Sequence, residues 1–115
     1  MHVYAQKSGI EVDAWFESVP GVPTVPTTVH WRLRNVTIDE VVIPWTEGTY
    51  TIESDETGIT GVRSRIDIPG SANVLSQQGG RRETFELQVV ADMDTDREYS
   101  TEPPYQYAVA YRGAR

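Results

Sequence analysis

The sequence predicts an all-β protein, an antiparallel β-sandwich of seven to eight strands of immunoglobulin-like or jelly-roll type. Apolar and polar residues alternate in segments 28–34, 85–89 and 105–111, and this two-residue period is typical of half-buried strands. Turn-forming pairs such as Pro69-Gly70 and Gly79-Gly80 separate the apolar segments. No segment shows the apolar stripe of an amphipathic helix. These observations leave little chain for anything except strands and turns.

The individual elements follow from the same pattern. The first strand is predicted at residues 10–16, where apolar side chains occupy every second position. Residues 19–26 contain three prolines, which lack the N–H that a strand ladder needs, so this stretch is predicted to be a loop or a sheet edge. The remaining strands are predicted over residues 27–36, 41–45, 48–54, 62–68, 72–75, 82–91 and 105–112.

Trp31 is the predicted centre of the core. An indole on the inward face of a central strand buries a large area and joins the two sheets. The residues expected to pack against it are Phe85, Leu87, Tyr107 and Val109. Because the sequence has no cysteine, this packing has to hold the sheets together without a disulfide.

The length of 115 residues fits one domain, so residues 1–115 are interpreted as a single β-sandwich. Residues 1–8 are largely polar and precede the first predicted strand, which suggests an N-terminal arm that reaches a neighbouring molecule. No signal peptide is visible at the N-terminus.

Composition and charge exclude several classes of function. Ten basic and seventeen acidic residues give a net charge of −7, which argues against nucleic acid as the partner. No apolar run approaches the ~20 residues of a membrane helix, so no membrane partner is expected. Acidic residues predominate in 37–62 and basic residues in 63–82. Such blocks can steer the protein onto its own copies or onto a charged partner, but solvated strand faces are the more common explanation.

No residues form a convincing catalytic, cofactor-binding or metal-binding motif, so the protein is predicted not to be an enzyme and to need no cofactor. Segment 92–98 has aspartates at alternate positions, as calcium loops do. The calcium pattern requires glycine and glutamate where this chain has Arg97 and Pro103. A solvated acidic loop is therefore favoured, with calcium binding left open. His30 lacks the partners of a zinc site or a catalytic triad.

Partner binding is predicted at two kinds of exposed residue. His30, Arg32 and Arg34 share the outward face of the Trp31 strand and form a basic stripe on an acidic protein. Trp15 alternates out of register with the apolar residues of its strand and would face outward, and Trp45 ends a short apolar run beside Pro44. An exposed tryptophan on a sandwich serves as a contact anchor or as a stacking surface for sugars. The alternative is that one or both indoles pack beneath a loop.

Five segments together resemble small bacteriophage virion structural proteins with immunoglobulin-like sandwiches. They are residues 29–35, 44–46, 66–73, 82–91 and 105–109. The resemblance implies capsid decoration or cementing. It also implies that the major capsid protein or another virion protein is the partner, in a homo-oligomer or symmetric multicopy assembly located in the virion and assembled in the host cytoplasm. A tail-associated protein and a carbohydrate-binding module remain as alternatives.

Overall fold

The computed structural model describes residues 1–17, 26–56, 58–76, 82–96, 98–100 and 104–111. Nine strands and one short 3-10 helix are formed by these residues. In chain order they are β1 His2–Ala5, β2 Ile10–Glu17, β3 Val29–Asn35, β4 Glu40–Glu47, β5 Thr51–Asp55, β6 Gly58–Ile68, the 3-10 helix Gly70–Ala72, β7 Arg82–Ala91, β8 Tyr99–Ser100 and β9 Tyr105–Ala110.

The strands form two sheets that pack face to face, which confirms the predicted β-sandwich. The larger sheet has the order β1-β9-β7-β3-β4, with β8 paired to β7, and the smaller sheet has the order β2-β6-β5. In immunoglobulin lettering the smaller sheet is B-E-D and the larger sheet contains C′-C-F-G, which is the arrangement of that fold. The described residues form nine strands, more than the predicted seven to eight, because β1 and β8 had not been expected.

The first strand lies outside the predicted set. His2–Ala5 pairs in parallel with β9, from His2 opposite Tyr107 to Ala5 opposite Ala110. The amide of Gln6 extends the contact by donating to the carbonyl of Ala110 at 2.9 Å. Residues 2–5, within the stretch considered as an arm, therefore lie in the larger sheet. The pairing supplies partners for backbone groups along one edge of β9.

Strand alternation places the core as predicted in β6 and β7. Val62, Ser64, Ile66 and Ile68 of β6 all face inward and are buried. Strand β6 begins at Gly58, earlier than the predicted residue 62, so Gly61 lies within the strand. Residues 72–75 were predicted as a short strand, and this prediction is wrong. Ala72 is the last residue of the 3-10 helix, and residues 73–75 form an irregular connection.

The prediction that Trp31 is the centre of the core is corrected. Trp31 is half-buried and packs against the core from the side, next to Gly48. The centre is occupied by Phe85 and Tyr107, both fully buried, with parallel rings 5.6 Å apart. Strand order does not account for the difference between Trp31 and Tyr107, because β3 and β9 are each one strand from an edge of the larger sheet and Leu33 of β3 is fully buried. The indole of Trp31 instead lies against Gly48, in the connection between β4 and β5.

Two polar side chains in the interior connect the strands. Asn73, fully buried, accepts a hydrogen bond from the hydroxyl of Tyr107 at 2.6 Å and donates to the carbonyl of Ser8 at 2.7 Å. Glu83, also buried, accepts from the side chain of Asn35 at 3.1 Å and from the amide of Ser76 at 2.8 Å. These contacts satisfy groups that would otherwise be costly to bury.

Candidate binding surface on the larger sheet

The outer face of the larger sheet carries an ordered arginine–tryptophan pair. The guanidinium carbon of Arg32 lies 4.7 Å from the centre of the Trp45 ring, which is cation–π geometry. The Nε of Arg32 also donates a hydrogen bond to the side-chain oxygen of Gln88 on the adjacent strand. Arg32 and Gln88 are register partners between β3 and β7. The side chain of Arg32 is thus held on two sides.

A bulge in β4 positions Trp45. Trp31 pairs with Thr46 and Leu33 pairs with Ile43, so Pro44 and Trp45 together lie opposite Arg32. Two residues opposite one define a β-bulge, which redirects side chains and is common at sheet edges. Proline suits this position because β4 is the edge strand and Pro44 has no N–H to leave unpaired. Of the two alternatives left open by the sequence, exposure or packing beneath a loop, Trp45 shows exposure, with 36% of the residue accessible.

A shallow cavity of about 290 Å³ adjoins the Arg32–Trp45 pair. Ser100 of β8 contributes to one side of the cavity, because it pairs with Val90 of β7 in the larger sheet, and Glu98 just before β8 also lines the cavity. The cavity combines an aromatic ring with amide, carboxylate and hydroxyl groups. Its lining residues are Arg32, Trp45, Gln88, Val89, Val90, Glu98, Ser100 and Pro104.

The other two members of the predicted basic stripe, His30 and Arg34, do not line this cavity. Arg34 forms an ion pair with Asp39, which offsets its charge. His30 is half-buried between Glu47 of β4 and Val90 of β7, and its Nδ1 atom is buried without a hydrogen-bond partner in the described part of the chain. Arg32 is therefore the member of the stripe that adjoins the cavity.

Trp15 is exposed as predicted but lies on the smaller sheet. It extends from β2, and 42% of the residue is accessible. The structure thus brings Arg32 and Trp45 together, keeps His30 and Arg34 on the same strand as Arg32, and separates Trp15 from all four.

Sequence reasoning did not identify Gln88, Glu98, Ser100 or Pro104 as part of this surface. The alternation in β7 does indicate that Gln88 faces outward. Its pairing with Arg32 depends on the register between strands more than fifty residues apart, and a sequence pattern does not supply that register.

The acidic loop is anchored by its first residue. Asp92 is buried, and its Oδ1 atom accepts hydrogen bonds from the amide and hydroxyl of Thr27 at 2.7 and 2.8 Å and from the amide of Thr28 at 3.1 Å. Its carboxylate therefore joins the loop to the start of β3. Arg97 and Pro103, where the calcium pattern fails, lie outside the described residues.

Among the described residues, no group of three or more histidine, cysteine or acidic side chains is arranged to hold a metal ion. Nor do these residues include a helix with the length and apolar character needed to span a bilayer. Comparison with known proteins finds no matching family model, no similar curated protein and no similar solved structure.

Proposed function

We propose that this protein is a non-enzymatic structural protein of a virion, and that many copies decorate a capsid by binding through the outer face of the larger sheet. The observation that carries the proposal is the ordered Arg32–Trp45 pair beside a shallow cavity. The type of partner comes from the resemblance of residues 27–110 to small phage virion proteins. The major capsid protein is the first candidate.

Arginine and tryptophan are the residue types that most often dominate the energy of protein interfaces. Here Arg32 is already held by Trp45 and Gln88, so less side-chain freedom remains to be lost on binding. The position of the pair on a strand-built surface also gives it a fixed orientation. These properties favour recognition of a folded partner over chemistry on a small substrate.

The partner surface should offer hydrogen-bond acceptors to the free guanidinium N–H groups of Arg32 and an apolar group to the ring of Trp45. A net charge of −7 makes close packing of many copies unfavourable unless local contacts compensate. Binding through a local arginine on an acidic protein is consistent with regularly spaced copies on a lattice that supplies the acceptors.

Binding to capsids assembled without this protein tests the proposal. Wild-type protein is mixed with such capsids, and bound protein is measured by co-sedimentation together with the heat stability of the particles. We expect saturable binding and a stabilised capsid. Trp45→Ala should weaken binding by about thirtyfold or more, the effect of losing an interface hot spot.

Trp15→Ala is the matched control, because it removes an exposed tryptophan from the opposite sheet and should bind as the wild type does. Absence of binding to capsids, or equal losses in the two variants, would reject the proposal. Binding to isolated tails but not to capsids would replace decoration by the tail-associated alternative.

A further inference from the structure

The outer face of the smaller sheet carries a second aromatic surface. Trp15 extends outward from β2, and its six-membered ring covers Gly61 of the neighbouring strand β6. A Cβ atom added at Gly61 would come within 2.4 Å of Cζ2 and 2.6 Å of Cη2 of Trp15. Gly61 is buried even though it lies on an outer face, whereas Trp15 itself remains 42% accessible. The indole therefore rests on the sheet and presents its remaining surface to solvent.

Glycine is what permits this arrangement. Every other residue has a side chain at the position that the indole occupies, and would displace the ring from the sheet. A glycine in a strand interior costs stability, so its presence beneath Trp15 accords with a close approach between the ring and the backbone. The ring is held in place without being buried.

A polar cavity of about 250 Å³ lies on the same face as Trp15. Arg63 lines it and is the register partner of Trp15 on one side and of Thr51 on the other. Asp13, two residues before Trp15 on the same strand, also lines it. Arg63 therefore connects the cavity with the position opposite Trp15, and Trp15 and Gly61 themselves do not line the cavity. The complete lining is Asp13, Thr49, Tyr50, Thr51, Glu53, Arg63 and Arg65.

The charged residues that line the cavity are two with carboxylates, Asp13 and Glu53, and two with guanidinium groups, Arg63 and Arg65. The Nε atom of Arg63 lies 3.9 Å from a carboxylate oxygen of Glu53, and Arg65 forms an ion pair with Glu11. A polyanion would meet the carboxylates of Asp13 and Glu53, and a cation would meet the two guanidinium groups. The arrangement instead offers both donors and acceptors without excess charge, which suits a neutral ligand rich in hydroxyl groups.

We propose that the Trp15–Gly61 surface and the adjoining cavity bind a neutral oligosaccharide. The axial C–H groups of a pyranose ring carry slight positive charge and stack on the negative face of an indole. The hydroxyls of the same or the next sugar donate to Asp13 and accept from Arg63 or Thr51. This site is separate from the Arg32–Trp45 surface, and binding here does not depend on capsid decoration.

Titration of the full chain with neutral oligosaccharides tests the proposal. Cellohexaose, xylohexaose, maltohexaose, chitohexaose and mannohexaose are the probes, and binding is followed by tryptophan fluorescence, calorimetry and NMR of the indole N–H signals. We expect at least one probe to bind and to shift the Trp15 signal. Trp15→Ala should lower the affinity at least about tenfold, and Trp15→Phe should retain part of it.

Trp45→Ala is the matched control and should bind the same probe as the wild type does, since Trp45 lies on the other sheet. Far-ultraviolet circular dichroism and thermal unfolding establish that each variant is folded. Failure of all five probes to bind, or an equal loss of affinity in Trp15→Ala and Trp45→Ala, would overturn the proposal. Because Trp15→Ala should still decorate capsids, failure here is distinguishable from failure of the proposed function.

Discussion

The hydroxyl of Tyr107 donates a 2.6 Å hydrogen bond to Oδ1 of Asn73, and both side chains are fully buried. Tyr107 lies at the centre of β9. Asn73 comes directly after the 3-10 helix that follows β6. Asn73 also donates to the carbonyl of Ser8 and accepts from the amide of Lys7 through its backbone carbonyl at 2.8 Å. One buried side chain thus joins the last strand, the connection between β6 and β7, and the turn between β1 and β2.

Replacing Asn73 should therefore destabilise the whole sandwich. Asn73→Ala leaves the Tyr107 hydroxyl and the Ser8 carbonyl without partners and should lower the free energy of unfolding by about 3 kcal/mol. Tyr107→Phe leaves a single acceptor unpaired and should cost about 1–2 kcal/mol. Urea unfolding of both single variants and the double variant measures these values. A double variant as unstable as the sum of the singles would contradict a direct interaction.

Substitution of Gly61 should be unfavourable for a steric reason. The added Cβ of Gly61→Ala would lie 2.6 Å from the backbone carbonyl oxygen of Phe16 as well as against the Trp15 ring. We expect a loss of about 1–3 kcal/mol in unfolding free energy. In a Trp15→Ala background the same substitution should cost less, because only the backbone contact remains. An equal cost in both backgrounds would show that the ring does not rest on Gly61.

Local alternation was sufficient to predict the core faces of β6 and β7, because inward and outward positions follow directly from a two-residue period. It was insufficient to predict how deeply Trp31 and Tyr107 are buried. Both lie on strands that are one strand from an edge of the larger sheet, yet Trp31 is half-buried and Tyr107 is fully buried. The difference depends on what each side chain meets, Gly48 beside Trp31 and Asn73 and Phe85 beside Tyr107, and a local pattern does not supply these contacts.

The contacts that define the two candidate surfaces were also beyond local patterns. Arg32 meets Gln88, and Trp15 meets Gly61, through pairing between strands that are distant in sequence. The bulge that turns Trp45 toward Arg32 is likewise set by pairing. Gly61 is the one residue whose sequence context could have indicated such a contact. A glycine next to an alternating apolar segment can mark a strand position that another group approaches closely, as well as a turn. Strand β1 has no alternating apolar pattern that would have predicted it, because His2, Val3 and Ala5 remain exposed even though the strand is paired.

Asp92 should stabilise the protein by joining the acidic loop to the residues just before β3. Asp92→Ala removes the acceptor of three hydrogen bonds at Thr27 and Thr28, and also places alanine at a φ of 51°. Together these effects should cost about 3 kcal/mol. Asp92→Asn is the control, since asparagine retains an acceptor oxygen and tolerates a left-handed backbone. It should cost about 1 kcal/mol in urea unfolding.

Calcium should leave the stability of the protein unchanged, in line with the interpretation of segment 92–98 as a solvated acidic loop. Asp92 already directs Oδ1 at Thr27 and Thr28, and the sequence departs from the calcium pattern at Arg97 and Pro103. Thermal unfolding with millimolar calcium and with a chelator measures the effect. A calcium-dependent rise in the melting temperature that Asp96→Asn removes would establish a calcium site instead.

Stability should fall in alkaline solution because of the tyrosines around β9. Burial, together with a hydrogen bond to Tyr4, raises the pKa of Tyr105 to about 12, and burial also raises the pKa of Tyr107. An unfolded tyrosine releases its proton near pH 10, so above that pH the unfolded state binds fewer protons than the folded state. The stabilisation from these neutral phenols is therefore complete below about pH 10. For Tyr105 it is lost as the pH rises from there to about 12.

Urea unfolding from neutral pH to about pH 11 measures this dependence, and absorbance of the ionised phenol at each pH reports when the tyrosines titrate. Tyr105→Phe should make the alkaline decline shallower, because one of the groups with a raised pKa has been removed. Tyr111→Phe is the matched control, since Tyr111 is an exposed residue just beyond β9, and should leave the slope as it is. Equal slopes in wild type and Tyr105→Phe would exclude Tyr105 as a source of the alkaline decline.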